Sequence, residues 1–262
     1  MVIVYLLISI GSSIVGAISG IGGGVIIKPT LDIFSTYNVS VISFLSGNTV
    51  LAMTISSLIR GRNSEIKLDK KIGSLLAFGG IIGGLIGKYL FDVIRVGFAN
   101  DAVIGSIQSI SLALLTLSVL FFTIFKNKIP SYNFTNAFAS LCIGILLGSV
   151  ASFLGIGGGP INLAVLYLFF SMDSKTAALN SIYIIFFSQA TTLIFTIVSG
   201  NVPSFPPLVL VLMICGGISG GLIGSELKKK MNNHQVDILF SIVMAIIIII
   251  STYNFISYLS IQ

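Results

Sequence analysis

Histidine occurs once and cysteine twice in the 262 residues, and only 8 residues are acidic. Metal centres and acid–base pairs need ligands or carboxylates gathered at short spacing, and the chain has no such grouping. His234 follows Lys228-Lys229-Lys230 and is expected as a solvated loop residue. Asp and Glu fall at the ends of apolar segments or between them, so no carboxylate pair or proton relay is expected at membrane depth. Cys142 and Cys215 stand apart in apolar, glycine-containing sequence, with no CxxC and no adjacent His. They are expected as small buried residues, not as ligands or disulfide partners. No GxGxxG lies in a strand–helix setting, so a dinucleotide fold is excluded. The chain is therefore not expected to be an enzyme or to carry a cofactor or metal.

Charge is scarce as well: 8% of residues are charged against 55% hydrophobic, and the mean hydropathy is +1.08. Neither an ordinary soluble domain nor a disordered chain has that composition. The net charge of +6 does not indicate nucleic acid, because most of the 14 Lys and Arg residues lie in short stretches between apolar runs. In a membrane chain, basic loops report topology. Met1 to Gly20 is apolar without a basic leading region, and the apolar pattern continues beyond it, so it is taken as structure and not as a signal peptide.

What the sequence has in abundance is glycine, 28 residues, and its placement repeats. Gly20-Ile21-Gly22-Gly23-Gly24 recurs as Gly155-Ile156-Gly157-Gly158-Gly159, an offset of 155 − 20 = 135. Gly79-Gly80-Ile81-Ile82-Gly83-Gly84-Leu85-Ile86-Gly87 recurs at Gly216 to Gly224, an offset of 216 − 79 = 137. Two motifs in one order at nearly one offset indicate an internal duplication. Ten apolar segments follow from the pattern: Val2 to Gly20, Val25 to Ser35, Val39 to Ile59, Ile72 to Ile94, Ala102 to Phe125, Phe134 to Leu154, Pro160 to Ser171, Thr176 to Val198, Leu208 to Gly224 and Val236 to Ile256. A spanning helix needs about 20 residues, so the second and seventh segments are too short to cross. The glycines at four-residue spacing in the fourth and ninth segments are expected to form smooth packing ridges.

The basic residues choose between two topologies. If each glycine cluster only interrupts a single span, the halves are parallel and the two faces carry 7 and 6 basic residues, which is no bias. If each cluster turns a hairpin that leaves on the side it entered, the halves are inverted. The counts then become 11 inside, with Lys88 and Arg95 outside. The positive-inside rule prefers the second arrangement, with both termini outside. The expected fold is an all-α integral membrane protein of two inverted repeats, residues 1–128 and 129–262. Each repeat is a glycine-broken hairpin followed by three transmembrane helices.

A helix that starts inside such a hairpin leaves its first N–H groups without intrahelical partners, and with the helix dipole they favour an anion. Non-helical backbone at membrane depth is tolerated where it lines a cavity, and paired breaks in repeats point to a substrate site. The candidate site residues are Gly22, Gly23, Gly24, Gly157, Gly158 and Gly159, joined by Asn48 and Thr49, which match Asn180 and Ser181, and by Gln189. Close helix packing is the alternative reading for the glycines, and interhelical bonding for the polar side chains. Lys28, four residues past the first cluster, is a candidate counter-charge, unless Asp32 one turn later pairs with it.

The pattern resembles the sulfite exporter TauE/SafE family. The resemblance rests on the duplicated GIGGG after a glycine-spaced helix (Gly16, Gly20; Gly144, Gly148), Pro29 and Leu31, Pro160, Ala178-Leu179-Asn180-Ser181, and the glycine-rich later helix of each half. Phe44-Leu45-Ser46-Gly47-Asn48 departs from the family's small-residue lead-in. The resemblance implies a multi-pass carrier of sulfur-containing anions such as sulfite or organosulfonates, with thiosulfate and sulfate within the class. The expected function is secondary transport by alternating access, with a passive anion channel or a non-transporting scaffold as alternatives. The expected partners are a small anion and membrane lipid, with no nucleic acid; a homodimer is left open.

Overall fold

The computed structural model describes residues 2–62, 68–98, 100–134, 136–156 and 158–260. These form α1 (Val2–Ser19), α2 (Gly24–Phe34), α3 (Val39–Gly61), α4 (Lys70–Phe98), α5 (Asp101–Phe125), α6 (Ala137–Leu154), α7 (Pro160–Phe170), α8 (Ser174–Val198), α9 (Pro207–Lys230) and α10 (Asn233–Leu259). Eight are long and apolar enough to span a bilayer. The other two, α2 and α7, have 11 residues each, about 16 Å at 1.5 Å per residue, which is half a hydrocarbon core.

Helix starts follow local chemistry. Asn38, Asn100, Asn136, Asp173 and Asn232 cap α3, α5, α6, α8 and α10 through side-chain acceptors on the first free N–H groups. Pro160 and Pro207 occupy first helical positions, where a missing N–H costs nothing. The breaks at the glycine clusters are backbone requirements: Gly20 and Gly22 have φ of 79° each, Gly155 64° and Gly158 132°. A side chain would be strained at these angles. Ile21 and Ile156, the isoleucines of the two clusters, are 0% and 1% exposed and pin the turns into the core.

The duplication carries through the helix starts. From first to second half the starts differ by 137 − 2 = 135, 160 − 24 = 136, 174 − 39 = 135, 207 − 70 = 137 and 233 − 101 = 132. Helix directions follow from which glycine meets which residue. Along α9, Gly216, Gly220 and Gly224 face Ser9, Ser13 and Ala17 of α1, while Gly217 and Gly221 face Thr49 and Met53 of α3. Both α1 and α3 therefore run parallel to α9, and α2 carries the chain back between them. In the other half, Gly79, Gly83 and Gly87 of α4 meet Leu141, Ile145 and Ser149 of α6, and Gly80 and Gly84 meet Ile184 and Ser188 of α8. So α6 and α8 run parallel to α4, with α7 as the return. By contrast, α3 and α8 are antiparallel, since Gly47 meets Gln189 and Gly61 meets Leu179.

The glycine ridges act as packing surfaces: a Cβ at Gly83 would fall 2.1 Å from the Ile145 carbonyl oxygen. Because α1 packs on α9 and α4 on α6, the two sequence halves interlock in one helical body. Large apolar side chains such as Ile3, Phe78, Val96, Val198 and Ile249 cover the outside, as a lipid-facing surface requires. Cys142 and Cys215 lie on this exposed surface and not in the core, contrary to expectation. A thiol behaves as a small hydrophobe, so lipid contact suits it as well as burial does. His234 is exposed as expected, though in the first turn of α10 rather than in a loop.

Candidate functional site

The opposed course of α3 and α8 sets the start of one beside the end of the other, and a cleft opens there. Ser40, Ser43, Gly47 and Asn48 come from α3, and Gln189, Thr192 and Thr196 from α8. The C-terminal part of α4 adds Lys88, Phe91 and Arg95, and the end of α6 adds Ser152 and Gly155. The rim is completed by Asn201 and Pro203.

Its electrostatics are positive. The Lys88 ammonium lies 4.9 Å above the Phe91 ring and 2.8 Å from a carboxylate oxygen of Asp92. Arg95 has no ion pair within 4 Å among the described residues, and Asp92 and Asp101 line the neighbouring pocket with it. Deeper in, Gln189 is 4% exposed and its Nε2 has no hydrogen-bond partner. The hydroxyls of Ser40 and Ser43 are likewise buried and unpartnered. A buried donor left unpaired costs about 1–3 kcal/mol, and an oxyanion oxygen would satisfy several at once. Unpaired donors beside an ammonium and a guanidinium therefore fit a small anion.

The expected site residues separate into three groups. Asn48 and Gln189 do line the cleft. Thr49 does not: its hydroxyl donates to the Leu45 carbonyl at 2.8 Å and its helix face packs against Gly217 of α9. Asn180 is fully buried facing Gly73 of α4, with Nδ2 donating to the Thr176 carbonyl. Ser181 donates to the Gly20 carbonyl at 2.6 Å and accepts from Asn162 Nδ2 at 3.2 Å, tying α7, α8 and the first glycine turn together. The sequence match of Asn48 with Asn180 also fails geometrically. It implies 180 − 48 = 132, whereas the helix starts and the turn contacts, Gly20 with Ala178 and Gly155 with Ser43, both keep 135. At that spacing the counterpart of Asn48 is Tyr183.

The glycines are closed off from the cleft. Gly23 packs on Ser12 and Ser13, Gly24 on the Ile156 carbonyl and Val50, Gly158 on Ile185, and Gly159 on the Ile156 side chain. Gly22 is buried in the same turn, and Gly157 lies outside the described residues. Of the cluster glycines, the one that reaches the cleft is Gly155, which opens the second cluster two positions before the first candidate, Gly157. Lys28, 2% exposed, pairs with Asp32 at 3.4 Å behind that glycine.

Lys88 and Arg95 are not among the sequence's candidates: both were counted only as outer-side charges, and the fourth segment was ended at Ile94, just before Arg95. The helix runs on to Phe98. Their separation of seven residues, two helical turns, was the available signal that they share a face.

An all-helical, membrane-spanning body with an inward-reaching cationic cleft defines a polytopic membrane protein of the transporter class. The family model described as "Sulfite exporter TauE/SafE" matches residues 5–251, and the chain belongs to that family. Over 262 aligned residues it is 24% identical to the "Probable membrane transporter protein YunE" of Bacillus subtilis, covering 94% of this chain and 95% of that protein. It is 30% identical over 166 residues to a "Probable membrane transporter protein" of Haemophilus influenzae, covering 61% of this chain and 59% of the other. No solved structure matches it significantly. The chain is thus a multi-pass membrane transporter protein of the TauE/SafE family.

Proposed function

We propose that the protein is a secondary transporter of small sulfur-containing anions, sulfite and organosulfonates foremost, with thiosulfate and sulfate in the same class. The observation that carries this reading is the cleft itself: Lys88 and Arg95 at the wall, unpaired Gln189 and serine donors within, and Gly155 beside them. The family's printed description favours sulfur oxyanions over other anions of that size.

Alternating access between two inverted halves is the mechanism we infer. The antiparallel course of α3 and α8, and the two return helices α2 and α7, support it. So does the other end of the bundle. At the repeat offsets, Ser40 of the cleft corresponds to Lys175 and Phe91 to Lys228. Those two lysines lie beside one another, and Lys228 is only 4% exposed with no ion pair among the described residues. On this reading the cleft is the mouth open at one face, and the lysine pair marks the place where the corresponding mouth at the other face would open. Exchange between these arrangements would move an anion past the glycine turns, which give the two halves a flexible and closely packed contact. The basic-residue bias assigns the open cleft and both termini to the outer face.

The test is flux in proteoliposomes with sulfite, sulfate, thiosulfate, sulfoacetate and a carboxylate control. Counterflow of one or more sulfur anions without the carboxylate is the expected result. Equal movement of the carboxylate overturns the substrate class, and conduction without counterflow would replace the carrier by a channel.

A further inference from the structure

Three consecutive lysines end α9, and their surroundings differ. Lys230 is exposed, Lys229 pairs with Glu226 at 3.3 Å, and Lys228 is buried with no ion pair and no hydrogen bond among the described residues. The carbonyl that a lysine does satisfy at this helix end, that of Met231, accepts from Lys175 Nζ of α8 at 2.8 Å. One turn before Lys228, Ser225 is 3% exposed and its Oγ has no partner. Gly217, Gly221, Ser225 and Lys228 share one stripe of α9, and the two glycines face Thr49 and Met53 of α3. The repeat gives the stripe a meaning. At the spacing of 137 between α4 and α9, Ser225 and Lys228 correspond to Lys88 and Phe91, both of which line the open cleft. At the spacing of 135 between α3 and α8, Lys175 corresponds to Ser40 and Ser57 to Thr192, which line it too. Nearby carboxylates among the described residues are engaged elsewhere: Glu226 with Arg60 and Lys229, Asp237 with Lys126 and Ser174, and Asp69 and Asp173 with the first N–H groups of α4 and α8. A buried ammonium without a counter-charge is costly, and at membrane depth it points to a ligand.

We propose that Lys228, with Ser225 beside it and Lys175 at the rim, holds the transported anion when the inner mouth is open. The inference rests on the transport reading above and assigns the residues that bind the substrate at the second face. An oxyanion there takes an N–H from the Lys228 ammonium and the O–H of Ser225, neither of which has an acceptor in the closed arrangement. Lys175 ties the start of α8 to the end of α9 through the Met231 carbonyl, and that tie must break for the mouth to open. A charged oxygen is a stronger acceptor for an ammonium than a neutral carbonyl is, so an anion at Lys228 draws Lys175 away from Met231 and favours opening. The chemistry defines the ligand as small, negatively charged and carrying several oxygens, so that two lysines and a hydroxyl can share it. The two faces are not copies. The lysine of the stripe stands at the first of the paired positions in α4, Lys88, and at the second in α9, Lys228, so one site can be altered without the other.

The test reads the two faces separately, in right-side-out and inverted membrane vesicles from cells that express the full chain, with uptake by vesicles lacking it subtracted. The vesicles are preloaded with saturating unlabelled sulfite, kept anaerobic, and given radiolabelled sulfite outside. Lys228→Met keeps the length of the side chain and removes its charge. It should raise the half-saturating sulfite concentration about ten- to hundred-fold in inverted vesicles, where the label meets the inner face, and leave it unchanged in right-side-out ones. Ser225→Ala should move the inner-face value about two- to tenfold in the same direction, and Lys228→Arg should stay near the wild type. An unchanged inner-face value in Lys228→Met overturns the site, as does an equal rise at both faces. A second measurement does not depend on transport: thermal unfolding of the purified chain in detergent. Because the ammonium has no partner to lose, Lys228→Met should unfold at or above the wild-type Tm, and a lowered Tm overturns the proposal by giving Lys228 a structural role. Wild-type vesicles that exchange no sulfite in either orientation fail the transport reading for that anion, and the unfolding measurement then decides for or against Lys228 as an unpaired anion ligand.

Discussion

Replacing Gly24 by alanine puts one methyl group between the two glycine turns. The new Cβ would lie 2.0 Å from the Ile156 carbonyl oxygen and 2.9 Å from a Val50 methyl, where ordinary contact begins at 3.4 Å. The turns must separate by about 1.4 Å, and the carbonyl is backbone, so no side chain can swing aside. Overpacking of this kind costs about 1–3 kcal/mol, and each kcal/mol lowers Tm by about 2–4 °C in a chain of this size. Flux should fall further than stability does, because the displaced contact joins the two halves where they must move. Gly97→Ala is the control: nothing lies within 4 Å of its Cβ, and alanine in a helix is favoured by about 0.5–1 kcal/mol. The readouts are thermal unfolding in detergent and counterflow in liposomes. Gly24→Ala with wild-type Tm and wild-type counterflow would refute the close contact of the turns and the role assigned to it.

Arg95→Gln should raise the KM for the transported anion roughly ten- to hundred-fold, the equivalent of about 1.5–3 kcal/mol for a charge-assisted hydrogen bond. Tm should stay near that of the wild type, because Arg95 has no ion pair among the described residues to lose; an unchanged KM would remove Arg95 from the site. Ser181→Ala takes the donor from the Gly20 carbonyl and should cost about 1–3 kcal/mol of stability, read as a lowered Tm. Asp173→Ala removes the cap that accepts from Lys175 and Thr176 at the start of α8 and should cost about 1 kcal/mol by the same measurement.

The helix count and the two glycine breaks were legible in the sequence, because a run of apolar residues and a cluster of glycines each have one physical reading in a bilayer. The site was legible in part. Asn48 and Gln189 stand out as polar residues in apolar helices, but Lys88 and Arg95, which line the cleft with them, had been counted only as outer-side charges, and Arg95 lies past the expected end of its segment. Asp32 misled for a related reason. It ends a short helix in sequence, yet α5 and α10, distant in the chain, close over it. The pairing of Asn48 with Asn180 followed residue identity, whereas the repeat is held in register by backbone contacts at the turns, which place those two asparagines three residues apart. The glycine clusters themselves, read as bare donors for an anion, are occupied by packing against one another.

Everything depends on the halves being opposed, and one labelling experiment reads this directly. In a chain with Cys142 and Cys215 replaced by alanine, single cysteines are introduced at Lys71, Asn201 and Lys229 and treated with an impermeant thiol reagent on intact cells and on inverted vesicles. Positions 71 and 229 should react only from the inner face and position 201 only from the outer face. Labelling of 71 and 229 from different faces would contradict the opposed arrangement and, with it, the alternating pathway built on it.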